Sequence, residues 1–286
     1  MPLARPALAT RPPARGSARP GVAPPRSLLL LGVDTAPRDV GAALVALETV
    51  TARLRAVGDA RAVFPDVYAV ITRRVARALA EGGTFLEPAW ITRLAGDFAE
   101  RYFAALVPSI VGPAPARAPV PAAWRVAFAA GAHGPRLPVR DALLGINAHV
   151  NHDLARGIAA TLATAGHPTD DASLVRHKHD HDAIDGLLRA GLPEIEGLLL
   201  HRYGCRAIWL ATRARRADNA ATEAALALVE GWRATVWGDA LALVRGSAAE
   251  RAARAARIDA HAARIARALA GSNPAWVVGL LAARVG

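Results

Sequence analysis

Apolar residues recur at helical spacing along most of this chain. The clearest case is residues 39–56, where one face of a predicted helix carries Val40, Leu44, Leu47, Val50 and Leu54. Asp39 precedes them as a predicted N-cap. Runs with the period-two alternation of strands are hard to find, and only 5% of the residues are aromatic. We therefore expect an all-α fold, a single bundle-like domain of about eight to ten helices.

Stop signals divide the rest of the pattern into further helices. Gly82 and Gly83 are typical of a helix end, and Pro88 is typical of a first turn. The predicted ranges are approximately 67–80, 88–106, 124–130, 140–165, 172–189, 193–216, 220–244, 248–270 and 274–284.

Two segments lack the helical pattern. Residues 1–27 are rich in Pro, Ala, Arg and Gly, which predicts a disordered tail. Residues 112–121, with Pro108 just before them, form a proline-rich stretch that predicts a stiff extended linker. The linker could separate two domains, but only three modest helices precede it. We therefore expect one helical domain over residues 28–286.

The basic balance is partly a property of the tail. The net charge is +11, and residues 1–33 hold five arginines and no acidic residue. The tail lacks interleaved aromatic residues, so we expect no sequence-specific nucleic-acid binding, although an arginine-rich interaction segment is one interpretation. No run of eighteen apolar residues occurs, so we predict a cytoplasmic protein without a transmembrane segment. Cys205 is the single cysteine, which excludes an intramolecular disulfide.

The predicted helix 140–165 carries four polar residues that stand out from its apolar pattern. A helical wheel places Asn147 inside the apolar stripe, where it needs a hydrogen-bond partner. His149 and Asp153, one turn apart, share one flank, and Asn151 lies on the other. The same wheel turns His152 away from the core, so we expect that side chain to be exposed.

A second polar cluster spans residues 177–185. A four-member site for a divalent metal ion could combine its side chains with His149 and Asp153. The alternative is a solvated helix start, which we favour for His177 and His179. Asp182 and Asp185 stay open as candidate binding residues.

The residues 144–154 resemble a bacterial family catalogued as a domain of unknown function (family 5995), whose hallmark is G-[MI]-N-A-H-[IV]-N-x-D-L. Residues 85–88, 97–103 and 180–185 look similar to further family segments. The family typically has an aromatic residue in place of His181 and often Asn in place of Asp185. The resemblance spans roughly residues 30–270 and implies no activity. It does put weight on Asn147, His149, Asn151 and Asp153.

Two functional hypotheses follow. In the first, the protein is a small-molecule hydrolase or oxidoreductase in which His149 is a general base or metal ligand. Asp153 is then its orienting group or co-ligand, Asp182 or Asp185 completes the site, and Asn147 and Asn151 are candidate binding residues. In the second, the protein is not catalytic and these polar residues form a buried network that fixes the register of the helices.

Overall fold

The computed structural model describes residues 37–111, 119–133, 137–164, 170–204 and 220–271. Several predictions concern residues outside these ranges: the tail at 1–27, most of the proline-rich linker, Cys205, the ends of the predicted helices 140–165 and 193–216, and the helix at 274–284. The described residues form helices and no strand, which confirms the predicted all-α class.

The α-helices of the described residues follow one another along the chain. They are α1 Val40–Ala56, α2 Val63–Glu81, α3 Pro88–Val111, α4 Ala122–His133, α5 Pro138–Asn147, α6 Ala155–Ala163, α7 Asp171–Gly197, α8 Ala220–Arg245 and α9 Ala248–Gly271. A 3₁₀ turn, Ala60–Ala62, precedes α2. One π-helical segment, Ala148–Leu154, joins α5 directly to α6, and another, Leu198–Arg202, follows α7. We call the continuous run α5–π–α6 the central helix.

Local capping explains several helix ends. Asp39 caps α1 as predicted, because its Oδ1 accepts a hydrogen bond from the Ala42 amide at 2.7 Å. Helix α2 ends at Gly82, whose φ of 73° is accessible to glycine at little cost. A capping box begins α9, where Ser247 and Glu250 each accept from the other's backbone N–H.

The central helix lies in the middle of the fold. Its first part packs against α2, α4 and α9, its π segment against α3, α4, α8 and α9, and its last part against α3 and α8. Leu144 belongs to one hydrophobic cluster, while Ile158 and Leu162 belong to a second. Ile146 packs against both clusters, so the central helix joins the two halves of the core.

Two predicted boundaries are wrong because packing overrides proline. Helix α3 runs on to Val111 with Pro108 inside it, so Pro108 does not belong to the linker. Leu106 and Ile110 on either side of Pro108 are buried, and their burial favours the continued helix.

Helix α7 is likewise continuous through Gly191 and Pro193, where the sequence predicts a break. A Cβ at Gly191 would lie 2.8 Å from Ile71 Cδ1, so glycine permits the close approach of α7 to α2.

In the described ranges, no helix combines the length and apolarity that a membrane crossing requires.

Candidate functional site

The π segment of the central helix carries three of the four polar residues singled out above, His149, Asn151 and Asp153, and Asn147 directly precedes it. All seven of its residues, Ala148–Leu154, are buried. An ordinary α-helix at the surface of a bundle buries one face, whereas this segment has packing partners on several sides: α3, α4, α8 and α9. π-helical turns are rare and often mark functional sites.

His149 and Asp153 form a hydrogen-bonded pair within the π segment. The His149 Nδ1 lies 3.2 Å from Asp153 Oδ2, and both side chains are almost fully buried. The same carboxylate oxygen accepts a hydrogen bond from the indole Nε1 of Trp124 at 2.9 Å. The predicted pairing of His149 with Asp153 is therefore present in the structure.

Aromatic rings surround the imidazole of His149. Phe98 stacks on it with ring centroids 3.3 Å apart and planes 10° apart. Tyr68 meets it at an angle at 4.5 Å, and Phe64 and Trp124 lie at 5.5 and 6.0 Å. These rings give His149 an apolar environment in which a charged imidazolium is disfavoured.

The electrostatics of the pair assign its protons. Burial lowers the pKa of His149 below its usual value, although Asp153 opposes that effect. Burial would raise the pKa of Asp153, but hydrogen bonds from His149 and His152 outweigh it and lower that pKa to about 2. A neutral His149 therefore donates its Nδ1–H to a carboxylate. Its Nε2 is buried and has no hydrogen-bond partner among the described residues.

Asn147 and Asn151 form a separate crosslink. Asn147 is fully buried, and its Nδ2 donates to the Ala262 carbonyl of α9 at 3.0 Å. Its Oδ1 accepts from Asn151 Nδ2, also at 3.0 Å. The prediction that Asn147 needs a partner is confirmed. Asn147 ties the central helix to α9, and Asn151 holds the Asn147 amide from within the central helix.

The expected exposure of His152 is wrong. Its side chain is buried and lies between two carboxylates, with Nδ1 2.6 Å from Asp153 Oδ1 and Nε2 2.7 Å from Asp259 Oδ1. The wheel assumed α-helical geometry throughout, whereas the π segment winds more widely, with i→i+5 hydrogen bonding. Helix α9 covers the side of the segment on which His152 lies.

In the second cluster, the predicted solvation holds for His179 but is wrong for His177. His177 is 1% exposed, and its ring lies 4.6 Å from that of Trp90 in α3. Asp180 is fully buried and accepts hydrogen bonds from the amides of Leu86 and Glu87, both at 2.7 Å. It therefore caps the start of α3 from a distance.

Asp182 and Asp185 are engaged elsewhere. Asp182 is an exposed partner of Lys178, and Asp185 pairs with the buried Arg233 of α8. No contact joins either of them to the His149–Asp153 pair. Across the part of the chain that the structure describes, no group of three or more His, Cys, Asp or Glu side chains could hold a metal ion. The described donors therefore do not fit the predicted four-member metal site.

An apolar cleft lies beside the pair. It has a volume of about 80 Å³, and it is bordered by α1, α2, α3, α7, α8 and the end of the π segment. Phe98 and Tyr68 line the cleft and also contact His149. A single layer of aromatic rings therefore separates the cleft from the His149 imidazole. A few polar groups, His181, Thr72 and Arg233, interrupt an otherwise apolar lining.

Sequence reasoning missed several residues around the pair. Trp124 and Asp259 lie far from the motif in sequence, and nothing in their spacing indicates contact with it. The one available signal was the similarity of residues 97–103 to a family segment, which contains Phe98.

Comparison with known protein families gives a match. A model of the family described as "Family of unknown function (DUF5995)" matches residues 40–272, which confirms the resemblance. No curated protein and no solved structure matches the chain.

Proposed function

The chain belongs to the DUF5995 family, whose description carries no activity, and we propose from the site itself that the protein is a small-molecule enzyme. His149 acts as the general base, and Asp153 orients it. The observation that supports this proposal most directly concerns the His149 ring. The Asp153 carboxylate binds its Nδ1, while its buried Nε2 has no hydrogen-bond partner among the described residues. A neutral imidazole in that state can take a proton at Nε2 from a substrate or from an attacking water.

The energetics support function over a purely structural role for His149. A buried nitrogen without a partner costs on the order of 1–3 kcal/mol. A residue selected only for stability would be expected to have both ring nitrogens bonded, as Asn147 has its amide bonded on both sides. Such costs are commonly retained at functional sites, as are π-helical turns.

The cleft supports the class of substrate. Its lining is mainly aliphatic and aromatic, which favours a small and largely apolar molecule. Phe98 stands between this cleft and His149. In the proposal the ring of Phe98 turns aside when substrate enters, bringing the reacting atom to Nε2.

A second interpretation is a buried structural network without catalysis, and one observation favours it for part of the motif. Among the described residues, Asn151 donates a hydrogen bond to Asn147, and Asn147 donates one to the Ala262 carbonyl. We therefore assign these two asparagines a structural role and limit the proposed chemistry to His149 and Asp153.

Acylation of histidine by diethyl pyrocarbonate tests whether the base can be reached. The reagent attacks an unprotonated ring nitrogen, and mass spectrometry locates the product. We expect His149 to react slowly in the wild type and faster in Phe98→Ala, because that change removes the ring that separates the cleft from His149. The control is Phe128→Ala, which truncates a ring stacked on Trp124. The Phe128 ring itself neither lines the cleft nor contacts His149.

The two interpretations give different results. A sealed structural network leaves His149 unreactive in the wild type and in both variants, while the exposed His179 reacts. That result, obtained with folded variants, would refute the proposed function. Equal acceleration by the two Phe variants would show that general loosening exposes His149 and would count against entry through the cleft.

A further inference from the structure

His152 links the candidate site to the protein surface. Its imidazole lies between the buried Asp153 and the half-exposed Asp259, at 2.6 and 2.7 Å. Each of these contacts brings a ring nitrogen against a carboxylate oxygen, so each needs a hydrogen between the two atoms. A neutral imidazole supplies only one.

Both carboxylates already serve as acceptors for other donors. Asp153 Oδ2 accepts from Trp124, whose indole nitrogen can only donate. Asp259 Oδ1 accepts from the Arg156 guanidinium at 3.0 Å. These partners favour the ionised form of each carboxylate, which leaves His152 to provide both hydrogens. The surroundings then balance in charge, with two anions facing the imidazolium of His152 and the guanidinium of Arg156.

We propose that His152 is a positioning residue, held as an imidazolium between Asp153 and Asp259, and that it keeps Asp153 ionised and aimed at His149. This inference rests on the proposed function, since it concerns the orientation of the same base. It extends the site by two residues, His152 and Asp259, that do not line the cleft.

The division of the Asp153 oxygens shows how His152 acts. Oδ1 binds His152, while Oδ2 binds His149 and Trp124. With both oxygens held, the carboxylate cannot rotate away from His149. His149 therefore keeps its proton on Nδ1 and leaves Nε2 free to accept one. If His152 lost a proton, one of its two contacts would become repulsive and this arrangement would loosen.

Nitrogen-15 NMR of histidine-labelled full-length protein tests the proposal, because ring ¹⁵N shifts distinguish imidazolium from each neutral tautomer. Near neutral pH we expect imidazolium for His152 and the Nδ1–H tautomer for His149.

Asp259→Asn removes the outer anion, so His152 should lose its second proton and His149 should become a mixture of tautomers. Asp259→Glu, which keeps a carboxylate, should restore both wild-type signals. The control is Asp239→Asn, which removes a carboxylate of α8 that pairs with Arg254 of α9. We expect no change in the His149 and His152 signals of this variant.

The outcomes separate this proposal from the proposed function. A neutral His152 in the wild type, or a His149 tautomer that does not respond to Asp259→Asn, would overturn the positioning role alone. A wild-type His149 protonated on Nε2 would instead overturn the assignment of the general base. Because Asp259 is exposed, its variants should fold, and the test does not depend on the stability of a His152 variant.

Discussion

Asp180 shows how a single buried charge can connect two distant helices. Its carboxylate is fully buried, yet it accepts two backbone hydrogen bonds from residues just before α3. Those amides precede the first turn of the helix, where backbone donors lack intrahelical partners. The arrangement also joins two of the family-like segments, residues 85–88 and 180–185, in one contact. The residue is therefore a structural anchor and not part of the proposed base.

Replacing this anchor should cost stability. In Asp180→Asn the amide NH₂ would face one of the two backbone donors, so one of the bonds is lost in a buried place. We expect a loss of about 1–3 kcal/mol in the free energy of unfolding, measured by urea denaturation. Asp182→Asn, two residues away but exposed, should change it by less than about 0.5 kcal/mol. Equal effects of the two substitutions would contradict the capping role.

At the scale of helices, local signals were predictable and long-range ones were not. Helix α1 has the predicted start because Asp39 and the apolar stripe are both local features. The π segment depends on packing from α3, α4, α8 and α9, which no window of the sequence contains. Helix α9 covers the side of the segment that carries His152, so this residue lies inside the fold although the wheel places it outside.

The candidate site divides in the same way. The pairing of His149 with Asp153 follows from their spacing of four residues, and the structure retains it. The cleft could not be predicted, because its walls come from five helices as well as the end of the π segment. Helix α7 contributes His181 and Ile184 to the cleft, whereas the predicted Asp182 faces Lys178 at the surface.

Gly145, just before the motif, reflects a close contact between α5 and α2. A Cβ at this position would lie 2.3 Å from the ring of Phe64, which also contacts His149. We expect Gly145→Ala to lower the free energy of unfolding by about 1–3 kcal/mol through overpacking. The control Gly186→Ala lies in α7 with nothing within 4 Å, and it should stabilise by about 0.5–1 kcal/mol. A Gly145→Ala variant as stable as the control would show that α2 can move aside.

Across the whole molecule, buried polar groups sit where helices meet. The central helix is bonded to α4 through Trp124 and to α9 through Asn147 and His152. A second set joins α7 to α8, where His181 Nε2 lies 3.2 Å from the Arg233 carbonyl. Apolar clusters fill the space between these points. Titration of His149 and His181 is thereby coupled to the stability of the entire fold.

At these two residues the coupling predicts a loss of stability in mild acid. Burial lowers the pKa of His149, and burial together with the Arg233 charge lowers that of His181 well below its usual value. Below pH about 6.5 the unfolded chain binds protons at these positions while the folded protein does not. Stability gained from a neutral buried histidine is therefore present above that pH and is lost as the pH falls, by up to about 1.4 kcal/mol per pH unit for each site.

Urea denaturation at several pH values between 7.5 and 5 measures the slope of the unfolding free energy against pH. In His181→Gln the slope should be shallower than in the wild type by up to about 1.4 kcal/mol per pH unit, because one proton-binding site of the unfolded chain is gone. Asn147→Leu removes the bond to the Ala262 carbonyl without removing a titrating group. It should lower stability at every pH and keep the wild-type slope. If the His181 variant also keeps that slope, the buried imidazole binds its proton equally well in the folded protein, and the coupling proposed for α7 and α8 fails.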